Sequence, residues 1–216
     1  MMRPSYQCRA ALALRKVSRQ GCCSWRPLLG VCCILLSPVL LMPVLSRGKP
    51  ASGSGRRNEP AAESSFRIES SAFKEGATIP TRYTCLGENI SPPLAWTDPP
   101  SGARSFALIV EDPDAPAGTW THWLVYNLPA QARAMYENTP KQGELPNGGL
   151  QGMNSFGSVG YGGPCPPPGR AHRYFFRLYA LDSVLDLKAG AAKAGVLAAL
   201  KGHILGEAQL MGRFKR

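Results

Sequence analysis

A nearly continuous apolar segment, SFALIVED at residues 105–112, constrains the fold of this chain more than any other feature. Its length and lack of alternation are typical of a strand that is buried on both faces. The segments HWLVYNL (122–128) and RYFFRLYAL (173–181) are rich in aromatic and β-branched residues, which also favour strands. A shorter alternating segment, FRIES, begins at residue 66. The sequence therefore predicts a mainly β domain.

Two long stretches rich in glycine and proline separate these segments. They read GENISPPLAWTDPPSG at residues 87–102 and GYGGPCPPPGRAH at residues 160–172. Structureless loops of this length are uncommon in compact domains unless they are functional. We therefore expect both stretches to be loops that contribute to a functional site.

The last part of the chain has a different composition. Alanine and leucine occur at helical spacing through residues 190–214, and Gly202 divides the segment, which predicts two consecutive helices. The apolar side chains expected to face the sheet are Leu197, Leu200, Ile204 and Leu205. His203 lies in the same segment and is more typical of a solvated or core-edge histidine than of a ligand.

The net charge of +11 is unevenly distributed along the chain. Residues 1–60 contain ten Lys or Arg and a single acidic residue, whereas the remaining 156 residues contain 15 basic and 13 acidic side chains. Proteins that bind nucleic acid nonspecifically need a broad positive field to neutralise phosphates. A folded part with a net charge of only +2 lacks such a field, which excludes general DNA or RNA binding.

The N-terminal part divides by composition into three segments. Residues 1–27 are basic, residues 28–45 form the uncharged apolar run LLGVCCILLSPVLLMPVL, and residues 46–65 are rich in Gly, Ser, Pro and charge. This order is typical of a signal peptide or a short membrane anchor followed by a flexible linker. Both interpretations predict that a domain at residues 66–216 is exported to the periplasm or another extracytoplasmic space. The second also predicts that residues 28–45 hold it at the membrane.

Five of the seven cysteines lie in the first 33 residues, which leaves Cys85 and Cys165 in the body of the chain. Neither belongs to a CxxC pair, so a metal bound through sulfur is not expected, and no cofactor is predicted. In an oxidising compartment these two cysteines could form a disulfide that closes a loop of about 80 residues. The disulfide is a hypothesis at this point.

Two aspartates follow the predicted central strand, in the sequence EDPDAPAG. Asp112 and Asp114 flank Pro113, and Pro116 follows, so a stiff loop holds both carboxylates. Such a loop is typical either of a turn with Asx caps or of one part of a binding site.

The next segment places an aromatic side chain beside a histidine. Trp120 and His122 alternate on one predicted strand and therefore point the same way. They would serve as the wall and the polar contact of a small pocket. Burial of both side chains in the core is the alternative.

The second Gly-rich stretch supplies a third element. Gly162 and Gly163 allow the backbone to approach a ligand closely and offer N–H donors of the kind that bind anions. His172 and Tyr174 then share one face of the following strand. The stretch is not a nucleotide phosphate-binding loop, because it lacks the Lys-Ser or Lys-Thr pair and the helix that follows it.

Several stretches together resemble the phosphatidylethanolamine-binding protein family, in its bacterial and archaeal branch, often called Raf-kinase-inhibitor-like. They read AFKEGATIPTRYTCLGENISPPLAW, ALIVEDPDAP, THWLVYNLP, LPNGGLQGMNSFGSVGYGGPCPPPGRAHRYFFRLYALD and GHILGEAQLMGRF, and the match covers residues 66–216 in order. The resemblance implies a mainly β fold in which a large central antiparallel sheet packs on a smaller sheet, with peripheral and C-terminal helices.

The resemblance also implies a small anion pocket, which in relatives binds phosphate, phosphoethanolamine-like head groups, or carboxylates such as acetate. The positions that match its motifs are Asp112, Asp114, Pro116, Trp120, His122, Gly162, Gly163, Cys165, Pro166, His172 and Tyr174. Two residues depart from the family pattern. Leu86 stands where this branch usually has an acidic residue, and Cys165 stands where other branches have glycine.

Aspartates in an anion pocket need a physical explanation, because carboxylates repel anions. They become useful if they accept hydrogen bonds from His122 or His172, which would orient the rings and favour imidazolium. Alternatively, one carboxylate could meet the ammonium group of a phosphoethanolamine head group.

The same residue types could in principle bind a metal or catalyse hydrolysis. However, no serine or cysteine nucleophile lies in a recognisable elbow, and the resembled family is not generally enzymatic. We therefore expect a non-enzymatic binding or regulatory domain. The alternative is a protein-interaction module, such as a protease inhibitor that uses an exposed Pro-rich loop.

Overall fold

The computed structural model describes residues 65–216, and the predicted signal or anchor segment at 28–45 lies outside the described residues. The described part contains eight strands, one α-helix and a single 3-10 turn at Thr81–Tyr83. The strands and the helix are β1 (Arg67–Glu69), β2 (Leu94–Thr97), β3 (Ser105–Asp112), β4 (Trp120–Pro129), β5 (Ala134–Met135), β6 (Leu150–Gln151), β7 (His172–Leu181), α1 (Lys193–Leu200) and β8 (Ile204–Phe214).

The strands form two antiparallel sheets. The larger sheet has the order β6-β4-β3-β7-β8 and the smaller sheet has the order β1-β2-β5. The predicted mainly β fold, with a large central sheet and a smaller one, is thus confirmed. The prediction of a loop throughout residues 87–102 is wrong in part, because β2 pairs with β1 there and buries Trp96.

Strand β3 lies at the centre of the larger sheet, and all eight of its residues are buried. Alternate side chains enter two different hydrophobic clusters. Phe106 and its neighbours on one face pack with Trp96 of the smaller sheet, whereas Ile109 on the other face packs with Val196 of α1. The continuous apolar pattern of SFALIVED has this physical cause, since both faces of the strand are covered.

The prediction of a second C-terminal helix is wrong. Residues Ile204–Phe214 form β8, which pairs with β7 along its full length, from Leu181↔Ile204 to His172↔Phe214. Pairing with β7 satisfies the backbone of both strands and overrides a weak local preference for helix. Gly212 suits this strand, because a Cβ there would lie 2.5 Å from the Ile79 side chain.

The change from helix to strand also alters which apolar side chains face the core. Leu200 of α1 is buried as predicted, but Leu197, Ile204 and Leu205 are exposed. His203 is half-exposed, and its Nδ1 lies 2.8 Å from Asp182 Oδ1. It therefore lies at the solvated edge, as the sequence predicted.

Residues 65–216 contain one α-helix, α1, which is 8 residues long. No helix in this range is long and apolar enough to cross a bilayer. The same range contains no group of three or more His, Cys, Asp or Glu side chains arranged to hold a metal ion.

Candidate functional site

A cavity of about 480 Å³ opens where three strands of the larger sheet reach the same end. Strand β3 ends at Asp112, β4 begins at Trp120, and β7 begins at His172. We call it the histidine cavity. Its lining residues are Asp112, Ala115, Pro116, Ala117, Trp120, His122, Phe156, Cys165, Pro166, Pro167, His172 and Arg216.

Antiparallel pairing explains why residues distant in sequence meet at this cavity. Asp112 pairs with Trp120 across the turn between β3 and β4, and β7 pairs with β3 on the other side. The register between β3 and β4 shifts at Glu111, which pairs with Thr121 while Val110 pairs with Trp123. His122 is therefore the extra residue of a β-bulge, a feature that often redirects a side chain beside a functional site.

Asp112 holds His172 within the cavity. The His172 ring donates a hydrogen bond from Nδ1 to Asp112 Oδ2 at 2.7 Å, and both side chains are buried. The other carboxylate oxygen of Asp112 accepts a bond from the Asp114 backbone N–H at 2.8 Å. Because Nδ1 is used in this way, Nε2 is the nitrogen of His172 that remains for a ligand.

His122 is held by the backbone rather than by a carboxylate. Its Nδ1 donates to the Gly162 carbonyl at 2.6 Å, which again leaves Nε2 for a ligand. Burial lowers the pKa of His122 below its ordinary value, and the Gly162 hydrogen bond and the Asp112 charge oppose this shift only partly. The condition under which an aspartate would favour imidazolium is therefore not met at His122, because its ring bonds to a backbone carbonyl.

Asp114 lies outside the lining of the histidine cavity. Its carboxylate accepts bonds from Arg173 Nε at 2.9 Å, from an Arg173 terminal nitrogen at 2.8 Å and from the Arg173 backbone N–H at 3.0 Å. These bonds lower the pKa of Asp114 to about 2. Of the two aspartates predicted to orient histidines, only Asp112 does so, while Asp114 fixes the turn to β7.

The Gly-rich bend, which is the first part of the stretch 160–172, is connected to the 3-10 turn and the loop that follows it by hydrogen bonds and a disulfide. Tyr161 donates its hydroxyl hydrogen to the Tyr83 carbonyl at 2.8 Å, and the Gly163 N–H donates to Asn89 Oδ1 at 2.7 Å. Cys85 and Cys165 form a disulfide between the two segments, as hypothesised from the sequence. Residue 163 must be glycine here, because a Cβ would meet the backbone of Tyr83 and Thr84.

Aromatic rings form one side of the cavity. Phe156 packs edge-on against Trp120 and against His122, with ring centroids 5.4 Å apart in each case. The buried Trp120 Nε1–H has no hydrogen-bond partner among the described residues. Tyr174 lies behind His122 in the core, at a centroid distance of 5.2 Å, and does not line the cavity.

Sequence reasoning found part of this lining and missed the rest. The predicted residues that line the cavity are Asp112, Pro116, Trp120, His122, Cys165, Pro166 and His172. Gly162 and Gly163 line a neighbouring cavity instead. The lining residues that were missed are Ala115, Ala117, Phe156, Pro167 and Arg216. The register of β8 would have located Arg216, since it lies two residues beyond Phe214, the partner of His172.

Comparisons with known proteins agree with this architecture. The profile described as Phosphatidylethanolamine-binding protein matches residues 69–215. A UPF0098 protein of Methanothermobacter thermautotrophicus is 56% identical over 151 residues, which is 70% of this chain and 99% of the relative. A UPF0098 protein of Aquifex aeolicus is 49% identical over 153 residues, 70% of this chain and 89% of the relative.

Two solved structures have the same fold. A structure from Chlamydia trachomatis, described as a phosphatidylethanolamine-binding protein homolog, superposes with a TM-score of 0.65 at 42% identity, over 71% of this chain and 99% of that chain. E. coli YbcL is described as a new member of the mammalian phosphatidylethanolamine-binding protein family. It superposes with a TM-score of 0.67 at 34% identity, over 70% of this chain and 99% of the YbcL chain.

Proposed function

This chain belongs to the phosphatidylethanolamine-binding protein family, whose members generally bind small ligands, and from this premise we propose that its domain is a non-catalytic binding module for a small anion. The ligand class is phosphate, a phosphoethanolamine-like head group or a carboxylate. The observation that carries the proposal is the pair His122 and His172, two buried rings in one cavity whose Nδ1 atoms are bonded inside the protein. Both Nε2 atoms remain for the ligand.

The pairing of Asp112 with His172 supports anion binding in spite of the negative charge. An anion bonded to His172 Nε2 lies next to the ring and roughly twice as far from the carboxylate on the opposite side. Coulomb energy falls with distance, so attraction to an imidazolium exceeds repulsion by the carboxylate.

Three further groups fit a ligand of this class. Arg216 contributes the one permanently cationic side chain of the cavity lining. The Trp120 indole N–H is a buried donor that has no partner within residues 65–216. Asp112 uses one lone pair of each oxygen, so it retains acceptor capacity for the ammonium group of a phosphoethanolamine head group.

The lining supports binding rather than covalent catalysis. Among its residues the single thiol-bearing type is Cys165, whose sulfur is bonded to Cys85 and is therefore not a nucleophile. The lining contains no serine, threonine or lysine side chain. Covalent catalysis by a hydroxyl, thiol or amine nucleophile would need one of these groups beside a base.

We also propose that the domain works outside the cytoplasm. The Cys85–Cys165 disulfide supports this location, because disulfides persist in oxidising compartments and are rare in the cytosol. Export through the apolar segment 28–45, either as a cleaved signal peptide or as a membrane anchor, is consistent with it.

Nuclear magnetic resonance of the histidine rings tests the binding proposal. Titration of the domain with inorganic phosphate, phosphoethanolamine or acetate should shift the ring signals of His122 and His172 saturably, while exposed His203 stays unchanged. His122→Gln should weaken binding and His203→Gln should not. If none of these ligands moves the two buried histidines, the proposed function is wrong.

A further inference from the structure

A second cavity, of about 310 Å³, lies beside the histidine cavity, and the two share Phe156 and Cys165 in their linings. We call it the lysine cavity, because Lys141 provides its cationic side chain. Asn89 and Ser158 add polar groups to the same lining. Nothing in the binding of a single small anion by the histidine cavity uses these residues.

Phe156 forms the partition between the two cavities. Its ring touches Trp120 and His122 on one side, yet 47% of the residue is exposed. It lies directly over Gly162, where a Cβ would come within 2.6 Å of the ring. The ring therefore presents an apolar surface that is accessible from both cavities, and glycine at position 162 is what allows it to lie there.

Lys141 contributes a positively charged side chain to the lining of the lysine cavity. Its stem packs across Gly160, where a Cβ would approach the Lys141 Cα, Cβ and Cγ atoms at 3.0, 3.2 and 3.3 Å. Within residues 65–216, Lys141 forms no hydrogen bond through its side chain and no ion pair. A partly fixed stem with a free ammonium group is suited to a second anionic group of a bound molecule.

We propose that the two cavities form one extended site for a ligand with two anionic groups separated by a short apolar spacer. One anionic group binds His122 and His172, the spacer crosses the Phe156 ring, and the second anionic group meets Lys141. This inference rests on the proposed function and narrows its ligand class from any small anion to a molecule with two acidic ends.

Matched ligands separate the two cavities experimentally. Binding of ω-phosphonocarboxylates of increasing chain length should be compared with binding of alkylphosphonates of the same length, which lack the carboxylate. At the chain length that spans Phe156, the carboxylate should tighten binding by up to about fivefold, the upper end of the gain from an exposed ion pair. Calorimetry on the folded domain measures both series.

Two variants identify the source of that gain. Lys141→Gln should abolish the advantage of the carboxylate and leave alkylphosphonate binding unchanged. Lys201→Gln, which removes an equal charge from an exposed turn outside both cavities, should leave both series unchanged.

The possible failures are distinguishable. If both series bind equally at every length, or if Lys141→Gln weakens both alike, the extended site is wrong while the anion site in the histidine cavity stands. If neither series nor inorganic phosphate binds, the proposed function fails, and the extended site fails with it.

Discussion

The His172 ring and the Asp112 carboxylate form a buried hydrogen-bonded pair, with Nδ1 and Oδ2 2.7 Å apart. The pair joins the end of β3 to the beginning of β7 and leaves Nε2 as the ring nitrogen that remains for a ligand. In the proposed anion site, the carboxylate would therefore act on the ligand through the His172 ring.

Asp112→Asn should weaken phosphate binding, although it removes a negative charge from the cavity. Because this hydrogen bond is already present without the anion, its loss acts on binding through the orientation of the ring, and we expect an increase in Kd of roughly tenfold or less, measurable by calorimetry. Asp182→Asn is a matched control, since it breaks a second Asp–His pair, that of exposed His203, at 2.8 Å. Tighter binding by Asp112→Asn would mean that simple repulsion dominates.

Anion binding should weaken as the pH rises. Burial lowers the pKa of free His122 below its ordinary value, whereas a bound anion favours the imidazolium and raises that pKa. Between the two pKa values each binding event takes up a proton, so Kd increases with pH by up to about tenfold per unit. Sulfate, which does not titrate in this range, is the appropriate ligand. Calorimetry in buffers of different ionisation enthalpy should detect proton uptake, and its absence would contradict the mechanism.

The sequence predicted the fold well where the burial of a strand determines its pattern of apolar residues. SFALIVED is buried on both faces, and its nearly continuous apolar sequence predicted this. The bounds of β7 were predicted to within one residue. The strand β8 was missed because its burial alternates only over its second half, while Ile204 and Leu205 at its start are exposed. Its strand conformation comes from pairing with β7, a nonlocal interaction that helix propensity does not contain.

The site was predicted by residue type but not by partner. Two aspartates and two histidines allow several pairings, and the sequence did not distinguish Asp112 from Asp114. The side-chain contacts of the folded domain decide between them, since Asp112 bonds to His172 and Asp114 bonds to Arg173. The Gly162 carbonyl that holds His122 could not have been predicted from side-chain types.

Loss of the disulfide should destabilise the domain substantially. Cys85 and Cys165 are 80 residues apart, and a crosslink over such a loop stabilises by about 4 kcal/mol in the chain-entropy model. The double variant Cys85→Ala, Cys165→Ala should lower the free energy of urea unfolding by that order. Added reductant should lower it for the parent protein and have no effect on the variant.

The stability of the domain in acid should depend on the Asp114–Arg173 pair. The folded-state pKa of Asp114 is about 2, below its ordinary value of 3.8, because of hydrogen bonds from Arg173. The stabilisation is therefore complete above pH 3.8 and is lost as the pH falls from there through about 2. Asp114→Asn should unfold more readily at neutral pH and show a weaker dependence on pH in this acidic window. Equal pH dependence of both proteins, followed by circular dichroism, would contradict this assignment.

Two glycine substitutions should have opposite effects, since their surroundings differ. A Cβ on Gly163 would meet the Thr84 Cα at 2.9 Å and the Asn89 Oδ1 at 2.8 Å, and both belong to the loop that fastens the bend. Gly163→Ala must therefore displace the bend, with a loss of about 1–3 kcal/mol of stability and weaker anion binding.

Gly195 lies exposed in α1 with nothing within 4 Å of a Cβ. Gly195→Ala should stabilise the domain by about 0.5–1 kcal/mol and leave binding unchanged. Thermal unfolding and phosphate titration of both variants check the contrast. The Gly162 carbonyl of the bend holds the His122 ring. If Gly163→Ala binds phosphate as tightly as the parent protein, the position of the bend does not matter for the histidine cavity.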